Sequence, residues 1–533
     1  MSALKKYSTN SFSQTEKART DQVQNSAGGY VFKVNDLKRL ERFLIIGTDG
    51  GTYYVGERDL TKANVDFIRE MIAKSPETVL HTVVDVSDKG RAYRNDAAIF
   101  VLALMLNDAP ADFKAQIVEA VPAVARIATH VFQLAAYIEN LGGWGRAKRR
   151  AIAKWFESKS ADQLAYQAVK YRQRDGWTMK DLMRLSHVKG VDERVGGFIL
   201  GRETNPGGDI IDGFQTMQLA LSPSEVISTL GRYPNLPWET IPTQFLKDAE
   251  VWKTLFANGQ LKGQALVRNI TRLSRIGAFN DMVFAREVAD KLVDSDMIAK
   301  TRLHPIQYLL ASVTHRTGQM DRNGYGSFYG AARKRDWEIV PVIADALDAG
   351  FYQSFKSIVP ANKRTMLGLD ISGSMAATAL GIDLSCAQVS AAMAMVTART
   401  EPYTMIRGFS TQFKDLGITP NQDFATVMSK ISNQNFGGTD CAQPMIWAME
   451  NKVEVDTFAV FTDSETWAGR TQPFQALKRY HQKMGIDAKL AVFGVASTEF
   501  TIADPSDSAG MMDFCGFDSN AASVFADFSA GRL

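Results

Sequence analysis

The hydrophobic pattern of this chain changes period near residue 361, and that change limits the fold more than any other feature. Upstream, apolar residues recur at helical spacing almost throughout. The stretch NDLKRLERFLII (Asn35–Ile46) opens with a cap residue and continues as an amphipathic run. The spacing predicts further helices near 61–74, 94–107, 110–125, 127–142, 145–158, 160–174 and 178–187. Others are predicted near 222–231, 242–256, 262–275, 282–293, 302–317 and 341–357. The breaks DAPAD, NLGGWG, ESKSA, TNPGG and YPNLP carry Gly, Pro, Asn or Ser. Many helices on short loops predict a HEAT-like helical-repeat array over residues 29–360. No fixed-period repeat is visible in the sequence, so an irregular all-α domain is the alternative.

Downstream the pattern alternates. KRTMLGLDIS (Lys363–Ser372), YTMIRGF (Tyr403–Phe409), VDTFAVFT (Val455–Thr462) and KLAVFGV (Lys489–Val495) read as strands. Helices are predicted at Ala387–Arg399, Asp423–Ser432, Cys441–Asn451 and Pro473–Met484. Residues 361–533 are therefore expected to form an α/β doubly wound domain with a mostly parallel sheet, whose ligands sit at the carboxyl ends of the strands. Residues 1–28, rich in Ser, Thr, Gln, Asn and charge, are expected to be a flexible tail.

The net charge of +3 hides a split. Residues 1–360 carry 48 Lys and Arg against 40 Asp and Glu, a net +8. Residues 361–533 carry 13 against 18, a net −5. A polyanion partner for the first part alone fits that asymmetry. The three cysteines, Cys386, Cys441 and Cys515, show no zinc-like spacing and cannot all pair, which favours a reducing compartment. They read as small buried hydrophobes. MSALKKYSTNSFSQ has no apolar core, and the longest apolar run, Ala97–Met105, is far short of the ~20 residues a membrane span needs. The expectation is a cytoplasmic, monomeric protein with no membrane segment.

The first predicted strand ends in Asp370-Ile371-Ser372-Gly373-Ser374, a D-x-S-x-S loop. It projects one carboxylate and two hydroxyls toward one point. Thr439, in GGTD before a helix, and Asp463, after VDTFAVFT, complete a five-residue oxygen set from three loops. Hard oxygen donors of this kind suit Mg²⁺ or another divalent cation. The plainer reading makes them turn caps. Asp440 and Glu465, beside the set, are expected to be solvated loop acids. The set resembles the metal-ion-dependent adhesion site of von Willebrand factor A domains. That resemblance implies direct ligation by Ser372, Ser374 and Thr439, with Asp370 and Asp463 acting directly or through water. It also implies an open position for a partner's carboxylate.

The densest cationic stretch is Gly145–Gly190. Arg146, Arg149, Arg150 and Lys154 recur at helical spacing. Tyr166, Lys170 and Arg174, at i, i+4 and i+8, are expected to share one helix face, with Arg172 on the other side. Lys180, Arg184, His187 and Lys189 follow a Gly176-Trp177 break. Cations among aromatics neutralise phosphates and stack on unpaired bases. A solvated charged face is the alternative for any one of them.

Gly29–Thr61, Ala161–Lys189 (with VKYRQRDGW and RLSH) and His304–Gly318 resemble the TROVE module of telomerase-associated, Ro and vault proteins. A TROVE module followed directly by a metal-site A domain is the layout of the Ro ribonucleoprotein autoantigen family. The resemblance spans about residues 29–533 and implies a HEAT-like ring closed by the A domain. It implies small noncoding Y RNA on the outer surface and single-stranded 3′ ends of misfolded RNAs in the central hole. Lys170, Arg174 and His187 match the family's Y RNA positions, with Arg149, Arg150, Arg172 and Lys189 as further candidates. A polynucleotide phosphorylase-type exoribonuclease is the implied partner in bacterial members. The long N-terminal segment and several loops depart from animal members and point to a bacterial relative.

No P-loop, H-E-x-x-H or G-x-S-x-G is present. Asn323–Gly330 is glycine-rich but is expected to be a loop. His304 and His315, with Arg302 and Arg316 nearby, share a helix face and either line a cavity or sit in the core. Arg268, Arg272 and Arg275 also recur at helical spacing. The 20 Met read as core filling. The expected function is an RNA scaffold in noncoding RNA quality control and stress response, without chemistry of its own. Two alternatives are an adhesion-like interaction module with no RNA role and a metal-dependent hydrolase at Asp370 and Asp463.

Overall fold

The computed structural model describes residues 11–48, 51–202, 207–301, 303–317, 336–355, 358–382, 384–432, 434 and 437–533. The glycine-rich Asn323–Gly330 and Arg302 lie outside the described residues. The helical part contains α1 (Asp36–Ile46), α2 (Glu57–Lys74), α3 (Pro76–Asp88), α4 (Asp96–Asp108), α5 (Lys114–Val124) and α6 (Ala128–Asn140). It continues with α7 (Arg146–Glu157), α8 (Ala161–Lys170), α9 (Met179–Ser186), α10 (Glu193–Leu200), α11 (Ile210–Gln218) and α12 (Pro223–Arg232). Then come α13 (Ala249–Ala257), α14 (Gly263–Arg275), α15 (Met282–Leu292), α16 (Ser295–Thr301), α17 (Pro305–Thr317) and α18 (Pro341–Gln353).

Helices pack on their second neighbours: α2 on α4 on α6, and α3 on α5 on α7 on α9. That is the two-row stacking of a HEAT-like array. Both ends of the array meet the C-terminal domain, so the array closes into a ring through that domain. At one end Arg42 of α1, fully buried, binds Asp513 at 2.5 Å and donates to the carbonyls of Thr498 (3.2 Å) and Phe500 (2.7 Å). Arg91 links Glu41, Asp85 and Asp518 at 2.9, 2.9 and 2.6 Å. At the other end Phe351 and Tyr352 pack on Phe424, and the Arg399 guanidinium lies over the Tyr352 ring.

Local signals explain most of these helices. Ser160–Gln163 and Thr178–Asp181 are capping boxes, and Pro76 opens α3. Four helices were not expected. In α3 the β-branched run Thr78 to Val86 lowers helix propensity, but Val79, Val83 and Val86 are buried, and packing decides. In α10 Gly196-Gly197 reads as a turn, yet both residues are buried with Val195 and Ile199, and packing decides. The other two, α11 and α16, are short.

Two further expectations are corrected. The helix over 160–174 ends at Lys170, and β3 (Gln173–Arg174) pairs antiparallel with β4 (Trp177–Thr178). Asp175 and Gly176 have φ of 53° and 81°, which two-residue hairpin turns require and an Asp-Gly pair supplies. The N-terminal segment is not a tail from Ser11 onward. β1 (Val23–Gln24) and β2 (Tyr30–Lys33) form a sheet with a strand of the C-terminal domain, and Val31 and Phe32 join its core.

The C-terminal domain holds β5 (Thr365–Asp370), α19 (Cys386–Thr400), β6 (Thr404–Phe409), β7 (Phe413–Lys414), α20 (Phe424–Ser432), α21 (Gln443–Glu450) and β8 (Thr457–Thr462). It ends with α22 (Pro473–Met484), β9 (Lys489–Gly494), β10 (Phe500–Thr501), β11 (Met511–Cys515) and α23 (Ala521–Ala530). Its sheet order is β11-β9-β8-β5-β6-β7, parallel except for β7. The chain steps from β5 to β6 and then returns to β8 on the other side. The order therefore reverses between β5 and β8, and the crevice at their carboxyl ends is the binding position of such sheets. β10 leaves this sheet and pairs with β2, Phe500 facing Lys33. No described helix is long and apolar enough to cross a membrane. All three cysteines are unpaired and buried, as small hydrophobes would be.

Candidate metal centre and candidate nucleic-acid interface

Asp370 ends β5 and Asp463 follows β8, so the reversal places both carboxylates at one crevice. All five residues of the predicted oxygen set are buried. The Ser372 amide donates to Asp370 Oδ1 at 2.9 Å, and Ser372 Oγ lies 3.1 Å from Ser374 Oγ. Thr462 Oγ1 donates to Asp370 Oδ2 at 2.7 Å, and the Glu465 amide donates to Asp463 Oδ1 at 3.0 Å. Thr439 is drawn in by its carbonyl, which accepts from the amides of Trp467 (3.0 Å) and Ala468 (2.9 Å). Burial, and then the charge of Asp463, push the Asp370 carboxyl up to about 7. Burial likewise raises Asp463. Two buried like charges with no Lys or Arg among their described partners are what a divalent cation neutralises. The set offers two carboxylates and three hydroxyls, and among the described residues no group of three His, Cys, Asp or Glu that could hold a metal is present. A cavity of about 30 Å³, bordered by Ser374 and Asp463, is roofed by Thr52 and Tyr53 of the helical part.

Asp440 and Glu465 are not solvated acids. Both are buried, under the N-terminal segment. Gln14, with no exposed surface, donates to Asp440 Oδ1 at 2.7 Å and to the Thr471 carbonyl at 2.9 Å, and accepts from the Gly469 amide at 3.2 Å. Asn25 donates to the carbonyls of Ser464 (3.2 Å) and Thr466 (3.0 Å). The Ala27 amide donates to Glu465 Oε2 at 3.0 Å. A Cβ on Gly29 would come within 1.8 Å of the Thr466 carbonyl oxygen, so only glycine permits this approach. Burial, and then Asp463, push Glu465 up to about 7. The loops carrying Thr439 and Asp463 are thus held from outside by residues 11–29. No local signal marks Gln14, whose partner Asp440 lies 426 residues away.

The predicted basic residues form a strip rather than one helix face. Lys170 Nζ lies 3.5 Å from the Tyr166 hydroxyl and 3.6 Å from Glu239, so that i, i+4 pair stands as expected. Arg174 leaves the helix with the hairpin and sits exposed, 3.6 Å from Asp175. Arg172 stacks on Phe214 at 5.1 Å. Trp177, the cross-strand partner of Arg174, meets Trp144 edge-on at 5.4 Å. Trp144 lines an open cleft with Arg146, Arg149, Arg150, His187 and Lys189. His187 caps α9 in the left-handed region, φ 51°, a conformation that favours glycine and Asn over His. The half-buried His130 is pushed down to about 3, by burial first and then by Arg126 and Arg174, a sign of the local positive potential. NLGGWG reads as a loop, which hides Trp144, although the sequence does place a Trp beside GRAKRR.

Most of the other cationic and histidine candidates are structural. His304 is buried, with Nε2 3.2 Å from the Arg91 carbonyl and Nδ1 accepting from the Ile306 amide at 3.3 Å. His315 is buried beside Ser274 and the Val340 amide. Arg316 binds Asp348 at 3.0 Å. Arg272 stacks on Trp238 and Trp252, and Arg275 pairs with Asp336 at 2.7 Å. Arg268 is exposed.

Residues 23–198 and 234–363 match the TROVE domain family, and residues 364–529 match the Ro60 vWA domain. The chain is 38% identical to the RNA-binding protein RO60 of Deinococcus radiodurans over 98% of this chain and 97% of that protein. It is 29% identical to the RNA-binding protein RO60 of Caenorhabditis elegans over 98% of this chain and 92% of that one. The crystal structure of the Deinococcus radiodurans RO (RSR) protein superposes with a TM-score of 0.67 at 37% identity, covering 94% of this chain and all of the other.

Proposed function

The chain belongs to the family that joins a TROVE domain to a Ro60 vWA domain, and from that premise we propose that it is an RNA-binding ring protein. The observation that carries this reading is the strip from Lys170 through Arg174, Trp177 and Trp144 to Arg149, His187 and Lys189. Its cations neutralise phosphates and position the RNA, and its rings are available to bases. Small noncoding Y RNA is the proposed ligand of this outer surface. Single-stranded 3′ ends of misfolded RNA are the proposed ligands of the central hole. On this reading the protein is a ribonucleoprotein scaffold in RNA quality control and the stress response, and it presents RNA to an exoribonuclease of the polynucleotide phosphorylase type. It performs no chemistry of its own. Three unpaired buried cysteines suit the cytoplasm.

Asp370, Ser372, Ser374, Thr439 and Asp463 would hold Mg²⁺ in the C-terminal domain. The cation supplies charge that can anchor a partner's carboxylate. The chain's own part is to preset the hydroxyls and to keep the crevice dry.

The test is RNA binding across a salt titration with wild type and the double variant Lys170→Ala, Arg174→Ala. The variant is expected to bind structured RNA more weakly with a shallower salt slope. Unchanged affinity at every salt concentration would remove this face from the RNA site and favour the interaction-module alternative. Metal-dependent cleavage of labelled RNA, lost in Asp370→Ala, would overturn the non-enzymatic reading.

A further inference from the structure

We propose that the cleft between α7 and the end of α9 is a subsite for one unpaired nucleotide of the bound RNA, with the base on Trp144 and the phosphate on Arg149 and Lys189. The proposal rests on the RNA reading above and names what that surface selects.

The cleft has a volume of about 520 Å³ and is lined by Trp144, Arg146, Arg149, Arg150, His187 and Lys189, among others. Pockets of ~300–1,000 Å³ take small organic ligands, so a nucleotide fits and a helix does not. Its cations are available. Glu157 holds Arg150 at 2.7 Å, but among the described residues Arg146, Arg149 and Lys189 form no ion pair. Arg149 lines the cleft, and a guanidinium there presents charge-assisted donors to a phosphate.

The indole is preset. Trp144 Nε1 donates to Glu139, and the Trp177 ring braces it edge-on at 5.4 Å and 70°. An ordered ring loses little freedom on binding. Cations alone would serve any phosphate chain, duplex or single-stranded. A ring at the same place is of use only to a base that is not already stacked and paired. The combination therefore selects RNA with an unpaired nucleotide next to a phosphate that Arg149 and Lys189 reach.

The experiment compares two RNAs on the full chain by fluorescence anisotropy: a blunt hairpin and the same hairpin with a short oligouridine tail. Trp144→Ala is expected to weaken binding of the tailed hairpin about ten-fold, within the range for one base–aromatic stack, and to leave the blunt hairpin unchanged. Arg149→Ala is expected to weaken both and to flatten the salt dependence. Trp144→Phe keeps an aromatic face and is expected to restore most of the affinity, and it serves where loss of the Trp177 contact unfolds the alanine variant. In wild type the tail is expected to quench tryptophan fluorescence, and the Phe variant is expected to lose most of that signal.

Equal loss of both RNAs in Trp144→Ala, or no loss of the tailed one, would overturn the subsite while leaving the RNA reading intact. So would inorganic polyphosphate competing as well as the tailed hairpin, since the cleft would then be a general anion site. Failure of wild type to bind either RNA would instead sink the RNA reading itself.

Discussion

Arg174 and Trp177 face each other across a two-residue turn, and through Trp177 the guanidinium shares one surface with Trp144. The turn depends on Gly176, whose φ of 81° disfavours any side chain. Gly176→Val is expected to distort the hairpin, cost about 1–2 kcal/mol locally and weaken RNA binding although no cation is removed. RNA affinity together with the melting temperature checks it. A variant that binds as wild type would show that the hairpin does not set the RNA surface.

Arg42 and Asp513 form a buried ion pair that fastens the first helix to the last strand of the sheet. Removing one partner strands the other charge. Arg42→Met is therefore expected to destabilise the protein by about 3–5 kcal/mol, whereas Arg42→Met with Asp513→Leu recovers much of that loss. Chemical denaturation of the two variants measures the difference. Equal destabilisation by both would mean that the pair is not the source of the effect.

The buried His304 accepts from the Ile306 amide at Nδ1, which fixes the neutral ring with its proton on Nε2, facing the Arg91 carbonyl. Burial pushes it down to about 4 from 6.5. The unfolded chain takes up a proton below pH ~6.5 and the folded one does not until about pH 4, so stability present at neutral pH is lost across that window. The loss reaches about 3 kcal/mol. His304→Gln is expected to flatten this part of the stability–pH curve. An unchanged slope between those pH values would assign it to other groups.

The Asp370–Asp463 pair predicts a sign reversal. Without divalent cation, Asp370→Asn removes a buried like-charge repulsion and is expected to raise the melting temperature. Mg²⁺ or Mn²⁺ is expected to raise that of wild type and not that of the variant. A thermal melt with and without the cation reads both. If wild type does not respond, the five residues do no more than cap their turns.

The contrast between these sites shows what a sequence exposes. That Asp370 and Asp463 meet was legible because each follows a predicted strand, and strand order brings those two loops together, while Thr439 joins from a loop before a helix. The two-row helical array was legible from periodicity, although α3 and α10 were hidden by β-branched and glycine content that burial overrides. The hairpin at Arg174 was also written in the chain as Asp175-Gly176, but helical spacing of Tyr166, Lys170 and Arg174 competed with it, and the left-handed turn won. The burial of Asp440 and Glu465 had no local trace. It arises from the Gln14 side chain and the Ala27 backbone amide, in a polar stretch whose partners lie across the whole fold.

The pairing of β2 with β10 has a consequence for how the protein is made. Phe32 and Lys33 are translated more than 450 residues before their partners Phe500 and Thr501. The Arg42 charge waits for Asp513 in the same way. Until then the first helix and β2 have no partners in the C-terminal domain. The seam forms only once residue 513 has emerged, so a chain cut short before that residue loses the closure itself along with the missing residues.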